Sequence, residues 1–118
     1  MAAELPVAQL KAQLFKALAH PVRIRALEQL VQGERSVGDL AERIKIEISH
    51  LSQQLAVLRR AGVVDTRREG NTIFYTVRDP RMSQLLATAR GLIVSNLQES
   101  QDLLAFLEEE NEPQAAPR

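Results

Sequence analysis

The chain has 118 residues, of which 45% are hydrophobic and only 3% aromatic, with no Trp and no Cys. That length suits one domain with a modest core built from Leu, Ile, Val and Ala, which favours helix packing. The lack of Cys excludes disulfides, thiolate metal ligands, thiol redox sensing and cysteine nucleophiles together. No apolar run approaches the ~20 residues needed to span a bilayer, and no basic segment leads into an apolar one at the N-terminus, so a soluble cytoplasmic protein without a membrane partner is expected.

Fifteen Lys and Arg balance fifteen Asp and Glu, but unevenly along the chain. Residues 1–78 hold twelve basic against eight acidic side chains, a net of +4, and residues 79–118 hold three against seven, a net of −4. The basic part is where a nucleic acid would sit.

Leu10, Leu14, Phe15 and Leu18 recur at helical spacing and predict a first helix from about Val7 to Ala19. Pro21 breaks the pattern and restarts it, with Ile24, Leu27, Leu30 and Val31 on one face, so a second helix runs from Pro21 to Val31 and stops near Gly33. His20, just before Pro21, reads as a cap or as packing between helices. Ser36 is placed to cap a third helix whose buried face is Val37, Leu40, Ala41 and Ile44, with Asp39 at its N-terminal turn. After a tight connection at 45–47, a fourth helix turns Ile48, Leu51, Leu55 and Leu58 inward and ends at Gly62. The period then changes to two over Val63–Glu69 and Thr72–Val77, flanking Gly70-Asn71, which predicts a β-hairpin. Asp79-Pro80 can open a last long helix with apolar positions from Met82 to Leu107, and the acidic residues 108–118 are expected to form a disordered tail. The expected fold is mainly α with a β-hairpin wing, one domain over residues 1–107 with its DNA-binding part at 20–78.

Two short helices joined by a tight turn and followed by a hairpin form a winged helix-turn-helix, whose second helix can enter the major groove. With the Ile/Leu face inward, Ser49, His50, Ser52, Gln53 and Gln54 point outward near the start of the fourth helix. Their small and amide side chains can hydrogen-bond base edges and phosphates. Arg67, Arg68, Asn71 and Thr72 cluster at the hairpin, suited to phosphates or the minor groove. Arg59 and Arg60, at the far end of the helix, are set apart from the site as solvated or paired with Asp65 and Glu69. The long last helix carries more Leu and Ile than a small domain can cover, which argues for a dimer.

The stretches LFKALAHPVRIRALEQL and VGDLAERIKIEISHLSQQLAVLRRAGVVDTRREGNTIFYTV, together spanning roughly residues 14 to 77, resemble the ArsR/SmtB family of bacterial repressors. The resemblance implies a homodimer joined through its first and last helices, with Leu10, Leu14, Leu85, Ala89, Leu92 and Ile93 at the interface, and two recognition helices on a palindromic operator. Many members of that family release DNA on binding a metal. The thiolate positions at the start of the third helix correspond here to Ser36 and Gly38, which cannot ligate zinc or arsenite. At the last-helix site Asp79 matches, but Arg81, Leu92 and Ser95 stand where further ligands would be needed. Only His20 and His50 remain, without histidine neighbours at helical spacing. No metal site and no cofactor is expected, an unorthodox divalent-metal site being the one form left open.

The leading reading is a sequence-specific duplex-DNA-binding repressor. The other is a winged-helix interaction module or co-regulator that acts through a partner protein, which near-zero net charge keeps open. No nucleophile, carboxylate pair, phosphate-binding glycine loop or metal cluster stands at workable spacing, so an enzyme is not expected. The switching signal could be an unusual metal site, a small molecule in the dimer groove or a protein co-regulator, with a protein partner or the metal site ranked above the small molecule.

Overall fold

The computed structural model describes residues 4–111 and divides after Ser83 into two units. The first holds α1 (Glu4–Leu18), α2 (Pro21–Leu30), β1 (Arg35–Ser36), α3 (Val37–Ile44), α4 (Ile48–Arg60), β2 (Val64–Glu69) and β3 (Thr72–Val77). Local chemistry sets most of these limits. Pro21 occupies the first turn of α2, where a missing N–H costs nothing, and the His20 Nδ1 accepts the Val22 N–H at 3.1 Å as the cap. The Ser36 hydroxyl accepts the Asp39 N–H at 3.1 Å to open α3. Lys45 closes α3 in the left-handed conformation at φ 56°, its N–H donating to the Ala41 carbonyl, and thereby makes the tight turn into α4. Gly62, at φ +76°, reverses the chain after α4.

The sheet has the order β1-β3-β2, all antiparallel, with Val64 opposite Val77, Arg67 opposite Phe74 and Arg35 opposite Tyr75. The hairpin was expected; β1 was not. Two residues carry no readable alternation, and their pairing with β3 bridges about forty positions of sequence. The core beneath the helix-turn-helix is a leucine cluster: Leu27 of α2, Leu40 of α3, Leu51, Leu55 and Leu58 of α4, and Val64 of β2 are all fully buried. Each such side chain stabilises the fold by about 1.5–3 kcal/mol relative to exposure. From α1, Ala17 and Leu18 join this core, while Leu10 and Leu14 are exposed.

The last helix, α5 (Met82–Asn111), carries the second unit from Gln84 onward. The helix begins two residues after Pro80 because Asp79 and Pro80 form the preceding turn, their carbonyls accepting the Met82 and Ser83 N–H groups at 3.0 and 3.3 Å. It continues through residues 108–111, which the sequence reading assigned to a disordered tail; residues 112–118 lie outside the described residues. Ala89, Leu92 and Ile93 are exposed along it, as are Leu97, Leu103, Leu104, Phe106 and Leu107, and Leu85 is half-buried. Among the described residues, no helix is long and apolar enough to cross a membrane.

Candidate nucleic-acid interface

The reading face of α4 follows from its period. Leu51, Leu55 and Leu58 lock one side of the helix into the core, which turns Ser49, Ser52 and Gln53 to solvent. The Glu47 carbonyl accepts the Leu51 N–H but its carboxylate makes no cap bond, and no acid stands between it and the C-terminal Arg59 and Arg60. The face therefore offers hydroxyls and an amide with no fixed negative charge to repel a phosphate.

His50 and Gln54, four residues apart, share a flank of α4. The His50 ring meets His20 edge-on, with centroids 6.4 Å apart and planes at 89°. His50 remains exposed. Gln54 is half-buried, and its Oε1 is shut away from solvent with no hydrogen-bond partner among the described residues. The expectation that Gln54 points outward is corrected: the side chain sits at the margin of the core face, half-buried, with its Oε1 closed off from solvent.

The four wing residues separate in the same way. Arg67 forks onto Glu34 at 2.7 and 2.8 Å, bonds Glu69 at 2.7 Å and lies 4.5 Å from the Phe74 ring centroid. The guanidinium holds the Glu34 carboxyl below its ordinary range, and the carboxylates in turn raise the Arg67 pKa. Arg67 thus braces the sheet to the α2–β1 loop, and any phosphate would compete with two carboxylates for it. Arg68, one residue on, points to the opposite face of β2. It is exposed, and among the described residues no carboxylate lies within ion-pair distance of it. Gly70, at φ +62°, makes the tip, and Asn71 and Thr72 are exposed beside it.

The pairing of Arg59 and Arg60 with Asp65 and Glu69 does not form. Asp65 instead accepts two bonds from Arg78 at 2.7 and 3.0 Å, and Glu69 belongs to Arg67. Arg78 escaped the sequence reading because its partner lies thirteen positions earlier, across the hairpin.

The family model described as "Bacterial regulatory protein, arsR family" matches residues 20–66, from the cap of α2 into β2. An uncharacterized HTH-type transcriptional regulator of Mycobacterium tuberculosis, Rv0081, is 50% identical over 105 residues, covering 88% of this chain and 90% of that protein. The chain belongs to the ArsR family.

The crystal structure of Rv0081 superposes with a TM-score of 0.72 at 51% identity, covering 80% of this chain and 96% of that one. The transcriptional repressor BigR from Xylella fastidiosa gives 0.69 at 40% identity, covering 78% and 95%. A homodimeric winged helix-turn-helix DNA-binding domain from Mycobacterium bovis gives 0.71 at 28% identity, covering 81% and 89%. This chain is an ArsR-family transcriptional regulator with the winged helix-turn-helix fold.

The positions where the resemblance would place metal ligands are filled by other chemistry. Ser36 caps α3, and Gly38 carries no side chain. Arg81 clasps Asp79 through both carboxylate oxygens, the shortest contact at 2.7 Å, and lowers its pKa to about 2. Leu92 and Ser95 are exposed. Among the described residues, no group of three or more His, Asp or Glu is gathered that could hold a metal ion.

Proposed function

We propose that the chain is a cytoplasmic, homodimeric repressor that binds duplex DNA sequence-specifically, with α4 in the major groove. Ser49, Ser52, Gln53 and His50 would contact base edges and nearby phosphates, and Arg68, Asn71 and Thr72 would carry the wing against the backbone. The observation that carries this reading is the exposed hydroxyl and amide face of α4, held outward by three fully buried leucines. The relatives named as repressors and the homodimeric neighbour support the rest. The exposed apolar positions of α1 and α5, Leu10, Leu14, Ala89, Leu92 and Ile93 among them, are the surface such a dimer would cover.

The positions where the resemblance would place metal ligands hold other side chains, so the switch is not assigned to that metal site. A protein co-regulator or another ligand that distinguishes the DNA-competent from the incompetent dimer would do that work.

The test is fluorescence anisotropy with a labelled duplex from upstream of the chain's own gene, at two salt concentrations, with random-sequence competitor and with a panel of divalent metals. Tight, salt-sensitive and competitor-resistant binding is expected, with Gln53→Ala and His50→Ala weakening operator binding more than random-sequence binding. Absence of specific binding under every condition would replace the repressor by an interaction module that needs a partner protein.

A further inference from the structure

The region between α4 and the wing holds a cleft of about 260 Å3, lined by Arg59 of α4, by Thr66, Arg67 and Arg68 of β2 and by Ile73 of β3. Three arginines line it, but they are not equivalent. The charge of Arg67 is matched by Glu34 and Glu69. Arg59 and Arg68 are exposed, and among the described residues neither has a carboxylate within ion-pair distance. The carboxylates that might have quenched them, Asp65 and Glu69, are held by Arg78 and Arg67. Two unbalanced cations therefore border one concavity, an arrangement that an anion relieves.

The position of the cleft says which anion. A helix in the major groove and a hairpin at the adjacent minor groove necessarily have one sugar-phosphate strand between them. Ser52, Ala56 and Arg59, at i, i+4 and i+7, share one face of α4, so the face that offers Ser52 also carries Arg59, which lines the cleft. Resting on the DNA-binding reading above, we propose that Arg59 and Arg68 clamp a single backbone phosphate of the strand that passes between the recognition helix and the wing, while Arg67 only braces the wall.

One phosphate shared by two arginines has a specific signature. The slope of log affinity against log salt should fall by about one in the Arg59→Gln/Arg68→Gln double variant, and each single variant should already lose most of that. The ratio of operator to random-sequence affinity should stay unchanged. Arg59→Lys and Arg68→Lys should keep the slope, and Arg67→Gln should keep it too while lowering the melting temperature. With the wild-type protein, a neutral methylphosphonate at one backbone position of the duplex should reproduce the loss and should cost the double variant nothing further. An unchanged slope in the double variant, a drop of about two, or no sensitive phosphate position would overturn the clamp while leaving DNA binding in place. A wild-type protein that shows no salt-dependent binding to any duplex would overturn the DNA-binding reading first.

Discussion

Replacing Leu55 with alanine measures how firmly the core holds the reading face. Leu55 is fully buried between Leu51 and Leu58 on the inner side of α4. The change deletes three carbons, about 2.4 kcal/mol of transfer free energy at roughly 0.8 per carbon, and a residual cavity brings the loss to about 2.5–5 kcal/mol. Against a net stability of about 5–15 kcal/mol, that is a large fraction. Urea unfolding followed by circular dichroism is the assay, at one fixed protein concentration because a dimer's stability depends on it. The midpoint should fall with an unchanged m value. Well below the new midpoint the variant should still bind duplex DNA, since Leu55 has no exposed surface with which to touch it. A loss under about 1 kcal/mol, or intact stability with abolished binding, would refute the assignment of Leu55 as purely supporting.

Ser36→Ala removes the α3 cap and should cost about 1 kcal/mol in the same unfolding assay, with Ser36→Asp restoring most of it. Gly62→Ala places a Cβ at φ +76°, 2.9 Å from the Arg78 Nη1. The backbone term alone should cost about 1–2 kcal/mol, and displacement of Arg78 should release Asp65, visible as a rise in the Asp65 pKa by NMR. Asp79 has a folded pKa of about 2 against an ordinary 3.8. Its ion pair therefore stabilises the fold fully above that ordinary value and loses this effect as pH falls toward 2, and Asp79→Asn should flatten stability against pH across that window. Because Asp79 is well exposed, the flattening should also shrink in high salt.

Much of the fold was legible because punctuation and period agreed. Pro21, the Ser36 cap and Gly62 mark the limits of α2, α3 and α4 within a residue or so, and the switch from helical to alternating pattern after Gly62 marks the hairpin. What failed were features set by distant partners. The two residues of β1 acquire their conformation from β3, and Arg67 acquires its role from Glu34, thirty-three positions earlier. The candidate site was legible to the same extent. Helical period placed Ser49, Ser52 and Gln53 outward correctly. It could not say that Gln54 would be half-buried, nor that Arg67 and Arg68, neighbours in sequence, would serve opposite faces of one strand.

The pairing of β1 with β3 gives the wing two anchors. β3 is the central strand, held by β2 along its length and by Arg35–Ser36 near its middle, while the Glu34–Arg67 fork ties the outer strand to the same loop. Ser36 also caps α3, so the root of the wing and the start of the helix-turn-helix share a residue. Residues beyond the Glu69–Thr72 pair lie outside both anchors. Evolution can thus lengthen, shorten or recharge the tip, changing how far the protein reaches along a duplex, without disturbing the angle at which α4 is presented.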